Sequence, residues 1–241
     1  MCAKVLSNKD NLQVVYEDNH IIAINKRVGD IIQGDKTGDK PLSEIVKEYL
    51  KIKYNKQGNV FLGVVHRIDR PTSGIVLFAR TSKALTRLNR MFKSGEIDKT
   101  YLAVVKSKPE PEQDRLTHWL KKNPKYNRSK AYDSEIEGSK ESILNYKLKS
   151  KIDRYYCLEI ELETGRHHQI RCQLSHMGWP IKGDLKYGYP RSNPDAGIHL
   201  HAWRITFIHP VKKEKISIEA DTPDEVVWNA FSKQQDRTTS G

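Results

Sequence analysis

The stretch of the chain richest in reactive chemistry is His66-Arg67-Ile68-Asp69-Arg70-Pro71-Thr72-Ser73-Gly74. Asp69 has Arg67 two residues before it and Arg70 directly after it. Neighbouring cations favour the carboxylate, so Asp69 is expected to be ionised at neutral pH. An ionised carboxylate in a cleft can act as a nucleophile or as a base. Pro71 restrains the loop, Thr72 and Ser73 offer hydroxyls, and Gly74 lets another group approach the backbone closely. A surface loop of ion pairs has the same composition, and ion-pair networks also perturb acidities.

Glu163-Thr164-Gly165-Arg166-His167-His168-Gln169-Ile170-Arg171 is a second candidate. Gly165 breaks a strand and a helix is expected to begin near His167. Helix N-termini attract anions, and Arg166 and His168 make this one basic as well. Arg171 lies one turn beyond His167 and can point the same way. An ordinary helix start with exposed arginines fits the pattern equally. Tyr101, in Lys99-Thr100-Tyr101-Leu102-Ala103-Val104, opens a strand and can stack on a base while presenting a hydroxyl. A plain core or rim tyrosine is the alternative. His167, His168, His199 and His201 occur as adjacent or alternate pairs without an acidic partner at ligand spacing, so they predict no metal site.

These side chains need a scaffold. Leu12–Tyr16 and Ile21–Ile24 flank Glu17-Asp18-Asn19 as a hairpin. Leu42, Ile45, Val46, Tyr49 and Leu50 recur at helical spacing after Pro41. Val64-Val65-His66 and Gly74–Phe78 read as strands. Thr81 or Ser82 caps a helix bearing Leu85, Leu88, Met91 and Phe92, which Gly95 ends. Thr100–Val105, Tyr155–Leu162, Ile198–Ile208 and Ile216–Ala220 are further strands, residues 169–177 a helix, and Pro223 opens a last helix through Phe231. Residues 107–150 are the most hydrophilic stretch and read as a loop or insertion. Strands outnumber helices and come in hairpin-like runs, which predicts a mixed α+β fold rather than a doubly wound parallel sheet.

Of 241 residues, 37% are hydrophobic, enough for a core, so a wholly disordered chain is excluded. The 42 basic against 30 acidic residues leave a net charge of +12, which points to a polyanionic partner unless it only solvates the surface. Cys2, Cys157 and Cys172 form no Cys-x-x-Cys element, so reduced thiols and a cytoplasmic location are expected. No signal peptide or membrane-spanning run is visible. A single domain over residues 12–231 is expected, with an N-terminal segment, 1–11, and a polar, frayed tail, 232–241.

His66-Arg-Ile-Asp-Arg-Pro-Thr-Ser-Gly74 resembles the His-Arg-Leu-Asp-x-x-Thr-Ser-Gly signature of RluA-type pseudouridine synthases. Thr164-Gly-Arg-His-His-Gln-Ile-Arg171, followed by Gly178-x-Pro-Ile-x-Gly-Asp184 and Tyr187-Gly188, resembles that family's later motif. Lys99-x-Tyr-Leu-Ala103 resembles the tyrosine motif, and Ile24-Asn-Lys26 the opening one, with Arg27 where the family commonly has proline. The four occur in the family's order across roughly residues 12–222.

The resemblance implies a mixed, mostly antiparallel sheet with flanking helices around a central basic cleft. It implies conversion of uridine in ribosomal or transfer RNA to pseudouridine, with no metal or other cofactor. In that reaction the C1′–N1 bond breaks, the uracil turns, and C5 joins C1′. Asp69 matches the catalytic aspartate, as nucleophile or as base for the 2′ proton. Tyr101 matches the tyrosine that stacks on the target base, and Arg171 the arginine paired with the aspartate. Leu200 matches an apolar residue near the tyrosine. Arg67, Arg70, Thr72, Arg166 and His168 are expected at the substrate. Residues 1–11 are too few for an S4-type RNA-binding domain, so RNA selection is expected to rest on the catalytic domain. No DNA or membrane partner is expected, and the absence of a heptad or apolar docking stripe predicts a monomer. A scaffold that binds RNA without catalysis, and a nucleoside or sugar hydrolase, are the competing readings.

Overall fold

Two runs, Ile21–Ile24 and Ile75–Ala79, are apolar at successive positions, which a strand tolerates only when both its faces are covered. The computed structural model, which describes residues 5–34 and 38–239 and side chains as far as Gln234, places them in adjacent strands. Met1–Lys4 with Cys2, residues 35–37, and the last two residues of the tail lie outside the described residues. The chain divides into two compact units. Unit 1 is residues 1–99, 194–197 and 202–221; unit 2 is the remainder.

In unit 1, β1 (Val14–Glu17) and β2 (Ile21–Lys26) form the expected hairpin. Its turn is closed by Asp18 Oδ1, which accepts from the His20 and Ile21 amides at 2.8 and 2.9 Å. β2 pairs antiparallel with β4 (Ser73–Ala79), from Ile21 opposite Ala79 to Lys26 opposite Gly74. Alternate residues then feed two cores. Ile21, Ala23, Ile75 and Leu77 face α2 (Ser82–Ser94), whereas Ile22, Ile24, Val76 and Phe78 face α1 (Leu42–Lys53). The Thr81 hydroxyl accepts the Ala84 amide at 3.2 Å, and Gly95 ends α2 at φ 75°. The strand expected to include His66 is short: β3 is Gly63–Val64 and pairs with β4.

Unit 2 contains most of β5 (Asp98–Val105), then β6 (Gln113–Asn123), β7 (Arg128–Tyr132), β8 (Lys140–Ile152) and β9 (Tyr155–Leu162). Their order is β5-β9-β8-β6-β7, antiparallel throughout. α3 (Gln169–His176) covers one face, where Ile170 and Leu174 join Ala103, Leu144, Leu158 and Ile160 in the core. Residues 107–150 are thus chiefly strand and not loop. Leu116, His118 and Leu120 point inward on β6 while lysines crowd its far end. Averaged hydropathy hides that period of two.

β10 (Leu200–Ile208) begins in unit 2 and continues in unit 1, where it pairs with β11 (Lys215–Glu219). The last helix, α4 (Val226–Thr239), runs past Phe231 through the expected frayed tail, with Trp228 and Phe231 buried. All described pairing within the units is antiparallel, so the fold is α+β, as its strand-rich sequence suggests. Cys157 and Cys172 are free and buried. No helix among the described residues is long and apolar enough to cross a membrane.

Candidate active site

The predicted site residues fall into two sets. Arg67, Asp69, Arg70 and Thr72 belong to unit 1; Tyr101, Arg166, His168, Arg171 and Leu200 belong to unit 2.

In unit 1 the Asp69 loop joins β3 to β4 and is tied at several points. The Thr72 amide donates to the Asp69 carbonyl at 3.0 Å, closing a turn around Arg70 and Pro71. The Arg70 carbonyl accepts from the Gly29 amide at 2.9 Å and from Lys26 Nζ at 3.1 Å. Lys26 is 1% exposed, and its ammonium also reaches the Arg27 carbonyl, so this buried lysine clamps two loops together. The Arg70 guanidinium returns a bond to the Gly29 carbonyl and pairs with Asp39. Thr72 is buried, and its hydroxyl has no hydrogen-bond partner among the described residues, so in this conformation it offers a substrate no surface. Arg67 is exposed and Asp69 half-buried, the accessibility a reacting carboxylate needs.

Both ends of the loop are fixed. Gly74 sits at φ 110°, and a Cβ there would lie 2.3 Å from the Ala202 carbonyl oxygen, so only glycine fits. His66 accepts the Leu77 amide at Nε2 (2.9 Å) and stacks on Phe92 at 4.7 Å. Burial, with a smaller contribution from Lys99, pushes its imidazole down to about 3. Protonating Nε2 would set two donors face to face. His66 is therefore a neutral anchor for the loop, not an acid or base at neutral pH.

In unit 2, Tyr101 lies on β5 opposite Ile160, half-buried against the apolar cluster that contains Leu200. α3 begins at Gln169, later than the predicted His167, and His168 precedes it in left-handed backbone at φ 54°. Gln169 Oε1 accepts from the Arg166 amide at 2.9 Å and from the Thr164 hydroxyl at 2.8 Å, which folds the glycine turn onto the helix start. Arg166 is exposed, with Nε donating to the Glu141 carbonyl at 3.0 Å. His168 stacks on His167, and its Nδ1 meets the Tyr187 hydroxyl at 3.0 Å.

Arg171 is buried, and its charge is met within unit 2 by Asp184. Nε donates to Oδ2 at 2.7 Å and Nη2 to Oδ1 at 2.8 Å, a two-pronged pair with the guanidinium over the Tyr187 ring at 5.1 Å. The Tyr187 hydroxyl in turn accepts the Ser129 amide at 2.9 Å, and burial holds its phenol up at about 12. Asp184, Tyr187 and Lys26 stand in motifs the sequence displays, but their roles were not read there. A buried arginine on a helix required a carboxylate, and that requirement was the available signal.

The histidine pairs judged unlikely ligands are engaged otherwise: His167 with Ser129 and Asn127, His199 with Asn193 and Glu225. Another set, His118, Asp133 and His176, gathers three donor atoms and is taken up below.

The family model for RNA pseudouridylate synthase matches residues 20–176, a span that includes Asp69, Tyr101 and Arg171. The chain belongs to the RNA pseudouridylate synthase family. It is 31% identical to tRNA pseudouridine synthase C of Vibrio vulnificus over 235 residues, covering 90% of this chain and 92% of that one. It is also 31% identical to ribosomal large subunit pseudouridine synthase D of Xylella fastidiosa, covering 89% of this chain and 67% of that one. The solved human RNA pseudouridylate synthase domain containing 4 shares the fold at a TM-score of 0.76 and 18% identity, with 90% of each chain covered. This pseudouridine synthase is accordingly an isomerase that acts on uridine in RNA.

Proposed function

We propose that the chain converts uridines of ribosomal or transfer RNA to pseudouridine, with Asp69, Tyr101 and Arg171 as the residues that carry the reaction. The observation that carries the reading is the family match, which spans all three residues. The RNA class follows the relatives, of which one is named for transfer RNA and another for the large ribosomal subunit.

Asp69 acts at the ribose, as nucleophile on C1′ or as base on the 2′ proton, while the C1′–N1 bond breaks. The freed uracil turns, C5 bonds to C1′, Tyr101, stacked on the base, assists removal of the C5 proton, and N1 takes up a proton in its place, so the product is an isomer of the substrate. Arg171, braced by Asp184, takes the role of the family's arginine partner of the aspartate. Leu200 packs beside Tyr101. A stacked uridine exposes neither C1′ nor C6, so it must be flipped out at a cost of a few kcal/mol. Arg67 and Arg166, exposed, together with Lys121, Lys122, Lys125, Arg128 and Lys130 on β6, β7 and their turn, offset that cost through phosphate contacts. Arg70, Thr72 and His168 shape the two loops that carry these groups. The protein acts as a monomer, without cofactor, in the cytoplasm.

The test is incubation of purified protein with ribosomal and transfer RNA from cells lacking the gene, followed by pseudouridine mapping. New pseudouridine at defined uridines supports the reading. Binding without product would overturn it, and release of free uracil would mark a hydrolase.

A further inference from the structure

We propose that His118, Asp133 and His176 bind one divalent transition-metal cation, with zinc the best match to two imidazoles and a carboxylate. This inference is independent of the catalytic reading above, whose chemistry uses no metal.

The three residues come from different parts of unit 2: His118 from β6, Asp133 from just beyond β7, and His176 from the last position of α3. Their donor atoms all lie within 4.8 Å of one another. His176 Nε2 is 2.7 Å from Asp133 Oδ1, and His118 Nε2 is 3.9 Å from the same oxygen. The two rings meet edge to face, with centroids 4.9 Å apart. Zinc bonds of about 2.0–2.2 Å in a tetrahedron place donor atoms roughly 3.4 Å apart, between the two nitrogen–oxygen distances seen. Asp133 is 84% exposed and free to swing by the small amount required.

A simple ion pair accounts for His176 and Asp133 but not for His118. Its side chain is only 8% exposed, yet no hydrogen bond reaches Nε2 among the described residues, and that nitrogen aims at the cluster. Its other nitrogen, Nδ1, lies 3.0 Å from Gln173 Nε2, and Gln173 Oε1 is buried without a partner. The same amide nitrogen donates to the Leu116 and Ser142 carbonyls at 3.4 and 3.1 Å, so the ring is held with Nε2 toward the cluster. Asp133 and His176 also line a groove of about 920 Å³, which leaves the fourth coordination position open to water.

The site is tested with full-length protein stripped by chelator, titrated with Zn²⁺ by calorimetry and with Co²⁺ by visible absorption. The expected result is one equivalent bound, with the intense bands of tetrahedral Co²⁺. Losing only an outer partner of a metal ligand costs about 10–100-fold in affinity, so His176→Gln and Asp133→Asn should each cost at least that. Both residues are exposed, so their loss leaves the fold intact; His118→Gln, at a buried position, serves as a third variant. Pseudouridine formation by the stripped protein should be unchanged. Absence of binding, or equal affinity in His176→Gln and Asp133→Asn, would overturn the proposal.

Discussion

Removing the carboxylate of Asp184 should be among the most damaging single changes in unit 2. Asp184 is 1% and Arg171 5% exposed, and two short bonds join them. Asp184→Ala takes from the buried Arg171 guanidinium the two-pronged carboxylate it has within unit 2, a loss of about 3–5 kcal/mol. That is a large part of the roughly 5–15 kcal/mol that holds a domain folded. The Arg70–Asp39 pair is the internal comparison, because its side chains are 37% and 42% exposed. Water already solvates those charges, so Asp39→Ala should cost at most about 1 kcal/mol. Urea unfolding followed by tryptophan fluorescence reads both, since Trp119, Trp179 and Trp228 report on unit 2 and Trp203 on unit 1. The double change Arg171→Leu with Asp184→Leu removes both charges and should recover most of the stability while abolishing turnover. If Asp184→Ala costs no more than Asp39→Ala, the burial argument is wrong.

Asp69→Asn preserves shape but removes the charge, so turnover should drop by roughly three orders of magnitude or more while RNA affinity stays within a few-fold; near-normal product in single-turnover assays would remove Asp69 from the chemistry. His66 should make stability sensitive to acid. Its folded value of about 3 lies below its ordinary 6.5, so its contribution is complete above 6.5 and is lost as pH falls toward 3. In His66→Gln an amide oxygen can accept the Leu77 amide without titrating, so melting temperature should fall less on acidification; parallel curves for the two proteins would refute the assignment. RNA affinity should fall steeply with salt, and Arg67→Gln should lower the log–log slope by about one if that residue touches a phosphate. An unaltered slope would place Arg67 away from the backbone.

The sequence by itself determined whatever is encoded within a few neighbouring residues. The Asp18 turn, the Thr81 cap, the glycine end of α2 and the strands β2 and β4 were legible because each rests on local sterics or on an unbroken apolar run. The order of the motifs disclosed the family, and with it the roles proposed for Asp69, Tyr101 and Arg171. Tertiary structure decided which groups meet. Asp184 lies 13 residues from Arg171 and Asp133 43 residues from His176, and nothing in those intervals encodes a contact. His66 looked like part of a polar reactive loop, yet a strand amide and the Phe92 ring make it a neutral anchor. The strands of 107–150 were concealed because their lysines outweigh one inward residue in two. Propensity acts through the nearest few residues, whereas the partner of a buried charge is set by which surfaces the packed chain closes against each other.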